Sequence, residues 1–404
     1  MQYRTDKHGN KLSVLGMGGM RLPGTLGNID PQKTDEIIME AIHQGINFFD
    51  TAYIYPGSEE ALGHVFDKNK VRDKVYIATK LPLFKCQRYE DFDKYFNIQL
   101  QRLKTDYIDY YFMHNMTKQA DWERLRGLGI EKWLQEKRDA GAIRQVGFSF
   151  HGAKDAFSTL IDSYNWDFCM IQYNYINTNY QAGTAGLEYA YSLGIPVFIM
   201  EPLLGGKLAT GLPDVAADIF KQEDATATPA SWALRWLWNR PEVTLVLSGM
   251  NDPAQLKENA ALADASQAGG MTDRELATVE RVAEAFSATY KIPCTGCNYC
   301  LPCPAKINIP DCFMAYNTSY AISRFAGIQL YATTRGGFSA AFSVYDCVKC
   351  GKCEKMCPQE IAIQDRLKDV GKRMEPWWFG AVMKLMKRPW LFKTVIGIGK
   401  KFMR

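Results

Sequence analysis

Two runs of closely spaced cysteines near the end of this 404-residue chain constrain its folding more than any other feature. The first run is Cys294-x2-Cys297-x2-Cys300-x2-Cys303, and the second is Cys347-x2-Cys350-x2-Cys353-x3-Cys357. A proline directly follows the last cysteine of each run. Three thiolates at C-x2-C-x2-C spacing, followed closely by Cys-Pro, are typical of iron–sulfur ligands. This part of the chain is therefore expected to fold around bound clusters.

The second run has the spacing of bacterial ferredoxins, in which three close thiolates bind one cluster and the Cys-Pro thiolate binds the other. With the same crossing, one [4Fe–4S] cluster would be held by Cys294, Cys297, Cys300 and Cys357, and a second by Cys303, Cys347, Cys350 and Cys353. The first run is a variant, because two residues rather than three precede its Cys-Pro. Four-cysteine zinc sites also use C-x2-C pairs, but zinc requires neither the third cysteine nor the proline.

Length, composition and charge limit the architecture and the partners of the chain. A chain of 404 residues suits one large domain and a smaller one, and 47% hydrophobic residues suffice for a sizeable core. Two clusters, each about −2 with its thiolates included, would bring the formal charge of +4 near zero. Charge therefore gives no support to nucleic-acid binding.

The start of the chain and its cysteine usage indicate a cytoplasmic protein. The polar segment MQYRTDKHGN does not resemble a signal peptide, and eleven cysteines are an odd number for a disulfide scaffold. Cys86, Cys169 and Cys312 lie outside the two runs and are expected to be packed thiols. No apolar stretch reaches the roughly 18–20 residues that a membrane span needs.

Residues 1–285 alternate short β-rich runs with amphipathic helical patterns. The LysHisGlyAsn segment at 7–10 predicts the turn of an N-terminal hairpin. Eight further strands are predicted at 14–17, 46–49, 75–78, 108–112, 143–148, 168–171, 197–200 and 244–247. Helical patterns between them include 33–44, 91–103, 128–140, 185–193 and 226–239. This repeat predicts an α/β fold, a (β/α)8 TIM barrel. A doubly wound sheet would need a G-x-G-x-x-G turn, which LeuGlyMetGlyGlyMet at 15–20 does not supply.

The composition changes near residue 290 and predicts three parts. These are a barrel domain over 1–285, a ferredoxin-like dicluster domain over 286–370, and a C-terminal tail over 371–404. The dicluster domain contains a long insert at 304–346, for which a helix and loose surface decoration are both open. The tail is basic and aromatic, a composition that permits contact with a membrane surface, but packing against the protein is the preferred interpretation.

Polar residues are predicted at the carboxyl ends of successive barrel strands, where barrel enzymes carry their chemistry. The first four are Asp50, Tyr55, Lys80 and His114, of which Asp50 follows the second strand, Lys80 closes the third and His114 closes the fourth. The last four strands end at Ser149, Gln172, Glu201 and Ser248. A single lysine or histidine there would more often be structural. Four proton-handling groups in succession predict a catalytic site.

The order and spacing of Asp50, Tyr55, Lys80 and His114 resemble the aldo/keto reductase family over roughly residues 1–265. With the cysteine-rich domain and GlyGlyMetArgLeuPro at 18–23, the chain resembles the iron–sulfur branch of that family. The resemblance implies that Tyr55 donates a proton to a carbonyl oxygen as hydride reaches the carbon. Lys80 would stabilise the phenolate, and Asp50 would keep Lys80 charged and in place. His114 would orient the substrate oxygen.

The resemblance also implies a nicotinamide site, which the sequence matches only in part. Ser149 and Gln172 match family contacts to the carboxamide, and Glu258 and Asn259 match contacts near the adenine.

Three departures from the family pattern leave the identity of the nucleotide open. Phe150 replaces an expected asparagine, and Met200 replaces the tyrosine that stacks under the nicotinamide. The basic residues that bind a 2′-phosphate are absent from SerGlyMetAsnAspPro at 248–253. NADH, NADPH and a flavin nucleotide therefore stay possible, and His151 is expected to be a hydrogen-bonded structural residue.

A hydride carries two electrons together, whereas each cluster passes one electron at a time. Three functions are therefore consistent with a barrel and two clusters in one chain. In the preferred hypothesis, a cytoplasmic oxidoreductase interconverts a small-molecule carbonyl and an alcohol with NAD(P)H. In the second, the clusters feed single electrons to a flavin in the barrel, with a ferredoxin-type electron partner. In the third, the barrel is a non-catalytic redox-sensing module, against which the complete tetrad argues.

Overall fold

The computed structural model describes residues 1–25, 28–334 and 343–379. The chain separates into two compact units. One contains Met1–Gly211 and Ile219–Arg281, and the other contains Leu212–Asp218 and the chain from Val282 onward. Most of the predicted tail, including Trp390 and Phe392, lies outside the described residues.

The described residues form twelve strands, eight of which close into a parallel barrel. The strands are β1 (Tyr3–Thr5), β2 (Lys11–Ser13), β3 (Leu15–Gly18), β4 (Gly24–Thr25), β5 (Asn28–Ile29), β6 (Phe48–Asp50), β7 (Tyr76–Leu81), β8 (Ile108–Met116), β9 (Ile143–Phe150), β10 (Phe168–Gln172), β11 (Val197–Met200) and β12 (Val243–Ser248). The barrel runs in the order β3, β6, β7, β8, β9, β10, β11 and β12, and β12 pairs with β3. The predicted (β/α)8 barrel is thereby confirmed, and the doubly wound sheet is excluded.

Helices separate the barrel strands and continue into the second unit. They are α1 (Pro31–His43), α2 (Ser58–Asn69), α3 (Glu90–Leu103), α4 (Gln119–Gly127), α5 (Ile130–Asp139), α6 (Lys154–Ile161), α7 (Gly183–Ser192), α8 (Lys207–Thr210), α9 (Asp214–Glu223), α10 (Pro229–Trp238), α11 (Pro253–Ala265), α12 (Asp273–Thr289), α13 (Ile309–Ala321), α14 (Arg324–Thr334), α15 (Lys352–Lys355) and α16 (Ile363–Met374). Short 3-10 turns are found at Gly19–Arg21, Arg72–Lys74, Leu83–Lys85, Leu204–Gly206 and Val344–Asp346.

Local sequence explains where several barrel helices begin. The side chains of Asp30, Thr228 and Asp252 accept hydrogen bonds from backbone N–H groups in the first turns of α1, α10 and α11. A proline occupies the next position in each case. Such caps satisfy N–H groups that lack an intrahelical partner, and proline has no N–H to satisfy.

The strand β8 extends furthest past its predicted end. It continues four residues past the predicted end, so His114 lies within the strand and the prediction that it closes the strand is wrong. The register of β8 against β9 shifts between Met113 and Met116, and pairing resumes at Met116 and Phe150. A bulge of this kind absorbs extra residues while the ladder continues.

Large apolar side chains fill the barrel, and the N-terminal hairpin supplies one of them. The interior cluster contains Leu12, Phe48, Ala78, Tyr110, Phe112, Phe168, Met170, Phe198, Leu245 and Leu247. The predicted hairpin forms as β1 and β2, with Gly9 at φ +85° in its turn. Its buried Asp6 accepts hydrogen bonds from Tyr110 Oη at 2.6 Å and Gln145 Nε2 at 2.7 Å. These contacts fix the hairpin against barrel strands β8 and β9.

The second unit has its own apolar core, and the insert contributes to it. Residues of α13 and α16 share this core, including Ile309, Phe313, Leu367 and Val370. The insert at 304–346 forms the two helices α13 and α14, so the helical alternative is correct for its described residues. No helix in the described part of the chain is both long and apolar enough to cross a bilayer.

Candidate active site and cluster-binding cavities

A buried ion pair joins Asp50, the last residue of β6, to Lys80 in β7. Lys80 Nζ donates to Asp50 Oδ1 at 2.5 Å and to the carbonyl oxygen of Thr51 at 2.6 Å. Only 5% of Asp50 and 2% of Lys80 is exposed. Two acceptors from adjacent residues at the end of β6 therefore fix the lysine nitrogen.

Burial disfavours charge on both members of this pair. It raises the pKa of Asp50 and lowers the pKa of Lys80 from their ordinary values, while the attraction between the two opposes both shifts. The nearby carboxylate of Glu59 adds to the attraction that keeps Lys80 protonated. Lys80 thus releases its proton more readily than an exposed lysine does.

Tyr55 and His114 lie beside the ion pair, so the structure brings the four predicted catalytic residues together. Lys80 Nζ is 5.2 Å from the centre of the Tyr55 ring. The rings of Tyr55 and His114 are 6.2 Å apart between centres and nearly perpendicular, at 86°. Burial, followed by the charges of Lys80 and His151, places the pKa of His114 well below its usual range. The imidazole of His114 is therefore neutral at neutral pH.

Glu59 is a buried carboxylate near this site that the sequence reasoning missed. It is 1% exposed and lies in the first turn of α2, which follows the segment that carries Tyr55. It accepts hydrogen bonds from Thr79 Oγ1 at 2.6 Å, Gln99 Nε2 at 2.9 Å and Arg102 Nη1 at 3.0 Å. Gln99 Nε2 also lies 3.0 Å from the carbonyl oxygen of Lys80. This network ties the start of α2 to the strand that holds Lys80.

The close approach of the β3 loop to Asp50 explains one glycine of the GlyGlyMetArgLeuPro segment. A Cβ atom on Gly19 would lie 2.9 Å from the carbonyl oxygen of Asp50 and 2.7 Å from Ser58 Oγ. The hydroxyl of Ser58 donates to the carbonyl oxygen of Gly19 at 2.8 Å. A larger residue at this position would push the loop away from the site.

Ser149 and Gln172, the predicted carboxamide contacts, are buried near the carboxyl ends of β9 and β10. Ser149 Oγ accepts a hydrogen bond from the backbone N–H of Asn115 at 2.8 Å. Neither the nitrogen nor the oxygen of the Gln172 side chain has a hydrogen-bond partner among the described residues. A buried polar group without a partner costs about 1–3 kcal/mol, so this amide suits a ligand with its own amide.

The residues predicted near the adenine already have partners within the chain. Glu258 accepts a hydrogen bond from Thr228 Oγ1. Asn259 is 3% exposed, and its Nδ2 is 3.4 Å from Ser248 Oγ. Asp252 caps the helix α11 on which both residues lie.

The remaining strand-end residue, Glu201, follows β11 in a left-handed conformation with φ +55°. Its carbonyl oxygen accepts a hydrogen bond from Asn174 Nδ2 at 3.1 Å.

The eight run cysteines line two cavities in the second unit. Cys294, Cys297, Cys300 and Cys357 line the first cavity. Cys303, Cys347, Cys350 and Cys353 line the second cavity, and Cys300 also reaches it. Each run thus contributes its Cys-Pro cysteine to the cavity of the other run.

Burial and neighbouring sulfurs disfavour thiolate formation in the absence of iron. Burial raises the pKa of Cys300 to about 12, and the neighbouring sulfurs of Cys294, Cys297 and Cys357 add to this. Burial likewise raises the pKa of Cys353 to about 11, with Cys347 as a smaller contributor. Bound iron would offset this cost because it stabilises thiolates. Four sulfur donors around each cavity therefore fit an iron–sulfur cluster.

The three cysteines outside the runs behave as packed thiols. Cys86, Cys169 and Cys312 are buried. Burial raises the pKa of Cys86 to about 12 and raises that of Cys169 further. Thiols with such pKa values are inert at neutral pH.

Comparisons with known proteins agree with this geometry. The profile of the aldo/keto reductase family matches residues 14–283, and that of the 4Fe-4S dicluster domain matches residues 293–363. L-galactose dehydrogenase of Arabidopsis thaliana is 27% identical over 300 residues, which are 68% of this chain and 92% of that protein.

Solved structures share the barrel. A putative 2,5-diketo-D-gluconic acid reductase B is 25% identical with a TM-score of 0.55, covering 70% of this chain and 92% of that one. An aldo/keto reductase from Klebsiella pneumoniae, solved with NADP and acetate, has a TM-score of 0.57 at 21% identity and covers 70% of this chain and 96% of that one. The chain therefore belongs to the aldo/keto reductase family of oxidoreductases, and it carries a C-terminal 4Fe-4S dicluster domain.

Proposed function

We propose that this enzyme interconverts a small-molecule carbonyl and an alcohol, with NAD(P)H as the hydride donor and Tyr55 as the proton donor. The observation that carries the proposal is the buried Lys80–Asp50 pair beside the Tyr55 ring. An ammonium in that position stabilises a phenolate, which is the form that Tyr55 takes after it releases its proton. A barrel that only binds a partner has no need of this pair.

The proton is assigned to Tyr55 rather than to His114 because of their environments. His114 is neutral at neutral pH and cannot act as a cationic acid. A neutral imidazole can still donate one N–H to a carbonyl oxygen and so hold it near Tyr55. In this assignment Tyr55 is the general acid, and His114 orients the substrate.

The amide of Gln172 and the hydroxyl of Ser149 are the groups that would hold the nucleotide. A bound nicotinamide would supply hydride to the carbonyl carbon. The carboxamide of a nicotinamide can both donate to and accept from the Gln172 amide, which has no hydrogen-bond partner among the described residues. The Ser149 hydroxyl accepts from Asn115 and keeps its own hydrogen to donate.

The eight run cysteines would hold two [4Fe–4S] clusters, which supply one-electron redox chemistry. Hydride transfer moves two electrons together, so it does not need the clusters. We assign them a structural or regulatory role in carbonyl reduction.

Replacing Tyr55 by phenylalanine tests the proposed acid. Tyr55→Phe should lower kcat for NAD(P)H-dependent reduction of small aldehydes and ketones by roughly 10²–10⁴-fold, because a positioned acid contributes that much. Anaerobic assays on the purified full chain measure it. Tyr53→Phe, which removes a hydroxyl two residues away, is the matched control. Undiminished turnover in Tyr55→Phe would dismiss the proposed acid.

The end of β12 indicates which nucleotide binds better. The Asp252 carboxylate caps α11, and segment 248–253 contains no basic residue. A carboxylate there repels the extra charge of a 2′-phosphate, so we expect kcat/KM to be higher with NADH than with NADPH. Asp252→Asn should narrow the difference. A clear preference for NADPH in the unmodified enzyme would contradict this expectation.

A further inference from the structure

Thr295 directly follows the first cysteine of the first run and lines the same cavity as Cys294, Cys297, Cys300 and Cys357. Only 4% of the residue is exposed. Its Oγ1 has no hydrogen-bond partner within residues 1–25, 28–334 and 343–379. Buried hydroxyls nearly always have a partner, so a group inside the cavity is expected to supply one.

Hydrogen bonds hold the backbone that leads into Thr295. Asn317 of α13 accepts hydrogen bonds from the N–H groups of Lys291 and Ile292 at 3.0 and 2.9 Å. The Asn317 amide donates to the carbonyl oxygen of Ile292 at 2.8 Å. The hydroxyl of Tyr290 donates to the carbonyl oxygen of Cys294 at 2.6 Å. These bonds span the residues that lead into Thr295.

The second cavity has no comparable hydroxyl among its described lining residues. Its polar lining side chains other than cysteine are Lys352 and Gln364. Lys352 is exposed to solvent. Gln364 Nε2 donates to Glu354 Oε2 at 2.8 Å. A hydrogen bond from a side-chain hydroxyl could therefore reach a cluster in the first cavity but not one in the second cavity.

We propose that the Thr295 hydroxyl donates a hydrogen bond to a sulfur of the cluster held by Cys294, Cys297, Cys300 and Cys357, and thereby raises the reduction potential of that cluster. The proposal rests on the ligand assignment given above. Hydrogen bonds to the sulfurs are one of the terms that set cluster potentials. A donor stabilises the reduced form more because that form carries one more negative charge. Thr295 thus raises the reduction potential of the first cluster and not that of the second.

The test is a redox titration of the full chain, purified anaerobically with both clusters and followed by electron paramagnetic resonance. Thr295→Val keeps the shape of the side chain and removes the donor. We expect the midpoint potential of one cluster to fall by about 59 mV, a tenfold change in its reduction equilibrium, while the other stays unchanged. Thr295→Ser, which keeps the hydroxyl, should stay close to the unmodified protein.

Iron and sulfide content separates failure of this proposal from failure of the ligand assignment. The role of Thr295 would be overturned if the unmodified chain and Thr295→Val both carry two clusters and neither midpoint potential differs between them. Fewer than two clusters in the unmodified chain would overturn the ligand assignment first. If Thr295→Val loses a cluster, Thr295→Ala, which removes the hydroxyl and leaves a smaller side chain, is titrated in its place. In a Cys350→Ser background, the titration reports the first cluster alone.

Discussion

Proton transfer in this site depends on the charge of one buried lysine. Lys80 must be protonated to stabilise a Tyr55 phenolate, but burial lowers its pKa below the 10.5 of an ordinary lysine. Reduction of a carbonyl should therefore decline as pH rises through the Lys80 pKa. This alkaline decline is expected at a lower pH than for an exposed lysine.

Removing the partner of Lys80 should move that decline. Asp50→Asn deletes the attraction that raises the Lys80 pKa, so the alkaline limb of the kcat–pH profile should shift to lower pH. Steady-state rates across the alkaline range measure the shift. Asp162→Asn serves as a control, because it makes the same change at an exposed carboxylate that accepts a hydrogen bond from the Tyr189 hydroxyl. An unmoved alkaline limb in Asp50→Asn would mean that Lys80 does not set it.

The proximity of Asp50, Tyr55, Lys80 and His114 was predictable from sequence, because they lie at or near the carboxyl ends of three consecutive strands, which share one rim. The hydrogen bonds of Glu59 were not predictable, since Thr79, Gln99 and Arg102 are distant in sequence and meet only when α2 and α3 pack on the barrel. The one available signal was an acidic pair in the first turn of a helix directly after the Tyr55 segment.

At the scale of single elements, α13 holds the first cysteine run in place. Asn317 is 5% exposed and bonds both N–H groups and the carbonyl oxygen of the Lys291–Ile292 backbone segment. Ile309 from the same helix lines both cavities. The insert is thus part of the framework around the cysteines.

Loss of the Asn317 side chain should weaken cluster retention. Asn317→Ala leaves the buried backbone N–H of Ile292 without its partner, at a cost of about 1–3 kcal/mol, and removes the bond to the part-buried N–H of Lys291. We expect less iron per chain after purification and faster cluster loss under a chelator. Thr318→Ala is the control, because the Thr318 hydroxyl bonds the carbonyl oxygen of Met314 in its own helix. Equal iron retention in both variants would contradict the anchoring role.

Features with a clear periodic spacing of residues could be read from the sequence. Features that depend on how one strand pairs with its neighbour could not. The helix α13 carries Ile309, Phe313 and Asn317 at four-residue spacing, which places the asparagine on the buried apolar face. That spacing was an available signal for the anchor. The extension of β8 had no such signal, because its bulge depends on the register against β9.

Across the whole molecule, the sequence predicted both the barrel and the cysteine-rich part, for different physical reasons. The closed barrel was predictable because eight strand–helix repeats have the count and length of such a barrel, and the Gly-rich turn of a doubly wound sheet is missing. Short C-x2-C-x2-C spacing brings three thiols of each cysteine run together, and the ferredoxin pattern predicted that each Cys-Pro cysteine crosses to the other cavity. The lining of each cavity by α13 and α16 was not predictable, because these helices carry no ligand pattern.

The most direct test of the proposed function is the fate of a deuterium label. Reduction of a small aldehyde with nicotinamide deuterated at C4 should transfer the label to the carbinol carbon of the product, as measured by mass spectrometry under anaerobic conditions. Both C4 stereoisomers of the nucleotide are used, and one of them should transfer nearly all of its label. Turnover that yields an unlabelled alcohol with both isomers would show that hydrogen reaches the carbon from solvent. That result would contradict direct hydride transfer at the Tyr55 site.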